Sequence, residues 1–140
     1  MTMKIRNATR DDFGNVFALW KKAELTIADE GGERIDYGRM TEKNPDFCLI
    51  AEDSGQIIGT VLGSFNGRIA WINHLAVHPE HQKKGIGTAL MKELEKRFRE
   101  AGVARIRLGV HKLDLVPFYE KSGFKIIKDI TFMRKHLARN

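Results

Sequence analysis

The sequence has one cysteine, three prolines and no long apolar run, and each scarcity excludes something. With Cys48 alone, no disulfide can close within the chain, which fits a reducing, cytoplasmic setting. No segment approaches the roughly 20 apolar residues that span a bilayer. The opening residues, Met-Thr-Met-Lys-Ile-Arg, lack the apolar stretch of a secretory signal. There is no repeat, linker or low-complexity run, so residues 1–140 are expected to form a single domain. The P-loop pattern Gly-x-x-x-x-Gly-Lys-Ser/Thr is missing. The dinucleotide fingerprint is incomplete, because Leu90 stands where a third glycine would follow Gly85 and Gly87. His74, His78 and His81 are near neighbours, but four residues of strand cover ~13 Å. His74 and His78 are therefore too far apart to share a metal, and no metal site is expected.

Hydrophobic residues make up 42% and charged residues 30%, the balance of a soluble globular chain. The net charge of +6 is unevenly placed. Residues 1–70 hold 9 Lys and Arg against 11 Asp and Glu, a net of −2. Residues 71–140 hold 15 against 7, a net of +8. A polyanion on the basic side and a cation on the other would suit this split. Nucleic acid is not the expected polyanion, since no aromatic-basic strand motif or recognition helix accompanies the charge.

The chain is organised around Asn73 to Leu90. Trp71 to Val77 is apolar and branched enough for a buried strand. His78 to Lys84 is polar and contains Pro79, which ends the strand. From Gly85 a helix is expected, with Ile86, Leu90, Leu94 and Phe98 at a spacing of four. The first turn of a helix offers unpaired N–H groups and about half a positive charge. Gly85 and Gly87 let an anion approach the backbone, and Lys83 and Lys84 add charge beside it. Together these make a phosphate or pyrophosphate site.

Around it lie Phe47–Glu52, Gln56–Phe65 and Ile69–Val77, three strands joined by the turn signals Asp53-Ser54-Gly55 and Asn66-Gly67. Lys4–Ala8 reads as a further strand. Thr9 and Asp12 resemble a capping box before a helix that places Phe13, Val16, Phe17 and Trp20 on one face. Gly31-Gly32 is expected to break any helix, leaving Leu25 to Gly38 as a connection. A short helix over about Tyr37–Asn44 should follow. Beyond the central helix, the pattern predicts a strand over Arg105–Val110, a short helix over Leu115–Ser122 and a strand over Phe124–Ile130, with Phe132–Leu137 a candidate last strand. The fold class is α/β.

Gln82-Lys83-Lys84-Gly85-Ile86-Gly87, directly after Leu75-Ala76-Val77-His78-Pro79, resembles the acyl-CoA signature of the GNAT family of N-acetyltransferases. That family carries Gln/Arg-x-x-Gly-x-Gly/Ala at the start of its central helix. Phe118-Tyr119-Glu120-Lys121-Ser122-Gly123-Phe124 resembles its second landmark, and the likeness runs from about Ala51 to Phe124. It implies a mixed, mostly antiparallel twisted sheet flanked by helices, with a splayed central strand. It implies acetyl-CoA as co-substrate, held by the backbone of Leu75, Ala76 and Val77 and by Gln82, Lys83, Lys84, Gly85, Ile86, Gly87 and Thr88. It also implies that Tyr119 protonates the departing thiolate, for which a phenol with a pKa of about 10 is suited. Family members often have Asn where Lys112 stands and Ala where Leu115 stands. Lys112 remains a candidate cofactor contact; the asparagine contact does not carry over.

The general base is open. His74 lies on the central strand, where the family often places one. By period-2 alternation it faces away from Asn73 and Leu75 unless a bulge intervenes, and it reads first as a hydrogen-bonded sheet residue. Glu33, Glu52 and a water chain are the alternatives. The acceptor is expected to be a primary amine of a small molecule, with a peptide N-terminus as the rival acceptor. Outside catalysis, the rival is an acyl-CoA-binding module. A homodimer is left open.

Overall fold

The computed structural model describes residues 2–139. Five branched, apolar segments pair into one sheet in the order β1-β2-β3-β4-β5. They are β1 (Met3–Asn7), β2 (Cys48–Asp53), β3 (Gln56–Phe65), β4 (Ala70–Val77) and β5 (Ile106–Leu108). The first four are mutually antiparallel, and β5 joins β4 in parallel. The β2–β3 hairpin turns at Ser54 and Gly55, both with positive φ, the geometry that matches strand twist in a two-residue loop.

Two helices, α1 (Phe13–Lys22) and α2 (Glu30–Lys43), belong to one face. Phe13, Val16, Phe17, Leu19 and Trp20 of α1 and Tyr37 of α2 are buried in one cluster with Ile50, Leu62 and Ala76 of the sheet. The opposite face carries α3 (Ile86–Glu100), whose Ile86, Leu90, Leu94 and Phe98 are all but fully buried. Full burial of such a side chain stabilises by about 1.5–3 kcal/mol. The sheet accepts α3 closely because β3 has no side chain at two points. A Cβ on Gly59 would lie 3.0 Å from both Ile86 and Leu90, and one on Gly63 would lie 2.9 Å from the Phe98 ring.

The predicted order of the first nine helices and strands holds. The connection expected before Tyr37 does not, because α2 begins at Glu30 and runs through Gly31 and Gly32. Asp29 caps it, its carboxylate accepting from the Gly32 N–H at 3.0 Å. Both glycines fall in the first turn, where amides have no intrahelical acceptor to lose and where Glu30 and Glu33 suit the dipole.

The chain divides into two compact units after Gly109. The second starts at Val110 and holds a 3₁₀ turn, Leu113–Leu115, and the short helix α4 (Val116–Glu120). Gly123, at φ 93°, ends that helix, and the Phe124 N–H reaches back to the Tyr119 carbonyl at 3.2 Å. The strands expected over Phe124–Ile130 and Phe132–Leu137 are not formed. Ile126, Phe132, Met133 and Leu137 are exposed. Apolar alternation marks a segment able to be a strand, but a strand also needs a neighbouring ladder, and none is provided there.

Candidate functional site

The site is built where β4 changes register. Thr60 pairs with Ala76 and Leu62 with Asn73, so Val61 faces two residues, His74 and Leu75. This is a β-bulge, and His74 takes the left-handed conformation at φ 53°. Before the bulge, Ile72 pairs with Gly63 on the α3 face. The extra residue inverts the phase, so His74 and Ala76 go to the α1 face. Simple alternation misplaces His74 for this reason.

On that face the His74 ring meets the Trp20 ring at 4.5 Å and 38°. Its Nε2 lies 3.3 Å from Glu33 Oε2. Glu33 is one of the few buried acidic residues, and its other oxygen accepts from the Ala28 N–H at 3.4 Å. Trp20 Nε1 donates to Thr60 Oγ1 at 3.1 Å, and that hydroxyl donates to the His74 carbonyl at 3.4 Å. Trp20 is thus both a core residue and a wall of the site. Glu52 is removed from the group of candidate bases: Arg6 Nε binds it at 3.1 Å while the rest of the guanidinium grips Asp12.

The other edge of β4 opens at the same place. Its ladder with β5 covers only Ala70–Ile72 against Ile106–Leu108. From Asn73 to Val77 this edge has no strand beside it among the described residues of the first unit. Here the sheet splays, and Leu75 and Val77 turn backbone to the opening while Ala76, between them, pairs with Thr60 of β3. The Val77 carbonyl accepts from the Gln82 side chain at 3.1 Å, so Gln82 closes the loop instead of pointing away from it.

Between β4 and α3 runs a tight loop. His78 Nδ1 accepts from the Glu80 N–H at 3.1 Å, and the His78 and His81 rings meet edge to face at 5.3 Å. These two histidines shape the turn. Lys83 at φ 63° and Gly85 at φ 82° bring the chain into α3, and Lys83 and Lys84 are exposed. The first bond of the α3 ladder runs from Ala89 N–H to Gly85 C=O at 2.9 Å. The amides of Ile86, Gly87 and Thr88 therefore have no helical acceptor. No acidic residue occupies that turn, and nothing lies within 4 Å of the position a Cβ on Gly85 would take. The cradle has the donors, dipole and space that a diphosphate needs.

Lys112 and Tyr119 belong to the second unit. Lys112 is exposed. Tyr119 packs edge-on against Phe118 at 5.1 Å and Phe124 at 6.1 Å, and burial raises its pKa, keeping the hydroxyl protonated. Among the described residues no helix is long and apolar enough to cross a membrane, and no cluster of three metal-ligating side chains occurs.

A splayed strand leading into a glycine-started anion cradle defines a class. The profile of the acetyltransferase (GNAT) family matches residues 5–124, and the chain belongs to that family. Its relatives include an acetyltransferase of Sodalis glossinidius, 30% identical over 99% of this chain and 98% of the relative. The protein is an acyltransferase of the N-acetyltransferase type. PaiA N-acetyltransferase from Thermoplasma acidophilum, solved in complex with coenzyme A, superposes with a TM-score of 0.79 at 23% identity, over 93% of this chain and 94% of that one. AAC(6')-Iy, solved with the bisubstrate analogue CoA-S-monomethyl-acetylneamine, does so with a TM-score of 0.76 at 16% identity, over 98% and 100%.

Glu33 and Thr60 are the parts of the site that the sequence does not assemble. The sequence offers Glu33 only as one alternative to His74, and a strand threonine carries no signal on its own. Their meeting depends on the bulge, which no residue pattern announces.

Proposed function

We propose that this protein transfers the acetyl group of acetyl-CoA directly to a primary amine of a small molecule, within one N-acetyltransferase domain. The observation that carries this is the open edge of β4 leading straight into the unpaired amides of α3. Leu75 and Val77 would pair with the pantetheine arm, as a neighbouring strand would, with Ala76 between them held to β3. A backbone N–H of this stretch would also stabilise charge on the thioester oxygen. Lys83, Lys84, Gly85, Ile86, Gly87 and Thr88 would hold the diphosphate, with Gln82 setting the loop and Lys112 adding a contact. Tyr119 would protonate the leaving sulfur. Coenzyme A in PaiA and the acetylneamine analogue in AAC(6')-Iy support the donor and a small amine acceptor.

The test is a panel of polyamines, amino acids and short peptides with acetyl-CoA, read by thiol release. Faster release with a small amine than with any peptide is the expected result. Preference for peptides would move the acceptor to a protein N-terminus, and no release with any amine would remove the transferase activity.

A further inference from the structure

Thr60 is 1% exposed, yet it carries a hydroxyl where an apolar side chain of the same shape would fill the space. Its hydrogen bonds run in a fixed direction. The indole N–H of Trp20 can only donate, so the hydroxyl accepts from it at 3.1 Å and gives its own proton to the His74 carbonyl at 3.4 Å. That carbonyl and the Leu75 N–H belong to one peptide unit. In a planar trans peptide the two point in opposite directions. With the carbonyl turned toward Thr60 of β3, the Leu75 N–H is turned to the open edge of β4. The pairing gives the same result. Ala76 pairs with Thr60 and the His78 N–H donates to Ile58 at 2.8 Å, which leaves Leu75 and Val77 directed outward.

The peptide held by Thr60 is not fixed by the ladder alone. The bulge sets His74 and Leu75 both opposite Val61. His74 sits at φ 53°, a conformation that non-glycine residues keep only where neighbouring contacts enforce it. The Thr60 hydroxyl is such a contact. At 3.4 Å its bond is slack beside an ordinary O–H···O bond of about 2.7–2.8 Å, and it has room to tighten under load. We propose that Thr60 is a positioning residue for acetyl transfer, aiming the Leu75 N–H at the thioester oxygen through the His74 carbonyl.

The proposal rests on the acetyl transfer proposed above. A neutral amine bonds to the acetyl carbon, and the carbonyl π pair moves onto oxygen. The pair returns as the C–S bond breaks. Sulfur leaves with its electrons and gains a proton, and the nitrogen gives one up. The oxygen is most negative between those events, where a fixed N–H donor acts most strongly. Hydrogen bonds in a chain polarise one another, so the line from Trp20 through Thr60 strengthens the Leu75 donor as well as aiming it.

The readout is acetyl-CoA labelled with carbon-13 at the acetyl carbonyl, whose resonance moves downfield when its oxygen accepts a hydrogen bond. No acceptor amine is needed. Bound to wild type, the resonance should lie downfield of its position in free acetyl-CoA. Thr60→Val should lose at least half of that shift, and Thr60→Ser, which keeps the hydroxyl, should preserve it. With the best amine of the panel, Thr60→Val should lose at least tenfold in kcat with KM for acetyl-CoA little changed; a whole oxyanion donor is worth about 10²–10³-fold. A purely structural role would lower the melting temperature and leave the carbonyl shift as it was. If Thr60→Val does not fold, Trp20→Phe/Thr60→Val removes donor and acceptor together, a change that can be nearly neutral. Its shift is compared with that of Trp20→Phe, which keeps the Thr60 proton. A full shift in Thr60→Val, or no difference between the double and single variants, overturns the role of Thr60. A wild-type resonance that does not move on binding overturns this role and the backbone donor together. Thiol release absent with every amine, with the shift present in wild type and lost in Thr60→Val, would remove the amine acceptor and support the positioning role.

Discussion

The Thr60 hydroxyl takes the indole proton of Trp20 at 3.1 Å and turns its own toward the His74 carbonyl. One small side chain on β3 thereby holds α1 and the bulge of β4 in a fixed relation. Thr60→Val keeps the shape but leaves the buried Trp20 N–H without an acceptor. An unsatisfied buried donor costs about 1–3 kcal/mol. Urea denaturation should show that loss, with a kcat deficit accompanying it because the bulge is less well held. A variant as stable as wild type would mean that the indole finds another acceptor.

Gly87→Glu separates stability from binding. A carboxylate in the first turn of α3 interacts favourably with the helix dipole, so the fold should persist or gain a few tenths of a kcal/mol. The same charge would sit in the proposed diphosphate cradle. Acetyl-CoA affinity should fall at least a hundredfold by calorimetric titration, while the melting temperature of the free protein holds. Unchanged affinity would place the diphosphate elsewhere.

Tyr119→Phe removes one hydroxyl and keeps the ring that meets Phe118 and Phe124. General acid catalysis contributes typically 10²–10⁴-fold. The expected result is a kcat at least tenfold lower with KM for acetyl-CoA little changed, since in the proposed mechanism the hydroxyl acts as the thiolate leaves. A variant keeping more than half of its kcat would return the proton donor to water.

Arg6 and Asp12 predict an acid limb in stability. Arg6 donates two hydrogen bonds of 2.9 Å to Asp12, and these hold the Asp12 carboxyl below its ordinary value. A depressed folded-state pKa gives stability that is present above the unfolded value, about 3.9, and is lost as pH falls through the folded one. Arg6→Met should therefore destabilise by about 1–3 kcal/mol at pH 7. The gap from wild type should close below about pH 4. Melting curves from pH 2 to 7 check this, and a gap that stays constant with pH would assign the loss to packing of the arginine stem.

Much of the passage from β4 into α3 was legible because it depends on local chemistry. Glycines, a following helix with apolar residues every four positions, and a proline ending a strand act over a few residues, and each element lies where they put it. The surroundings of His74 were less legible because they depend on how two strands register. Nothing in Trp71–Val77 says that Val61 will face two residues, yet that pairing decides where His74 points. The Gly31-Gly32 pair misled for another reason: glycine weakens a helix interior, whereas these two sit in a capped first turn. At the other end of the chain, Phe124–Ile130 has strand-like residues but no ladder beside it, and propensity cannot supply one.

The bare positions at Gly59 and Gly63 have a thermodynamic consequence for ligand capture. With Ile86 and Leu90 seated against one and Phe98 against the other, α3 has little freedom to slide or rock on the sheet. Its exposed amides are thus immobilised when the chain folds and not when a ligand arrives. An anion meeting them gives up its own motion but need not also quench the helix's, so the association carries a smaller entropic penalty. Restoring a methyl group at Gly63 would lift the far half of α3 from the sheet and loosen that grip, some distance from any atom the ligand touches.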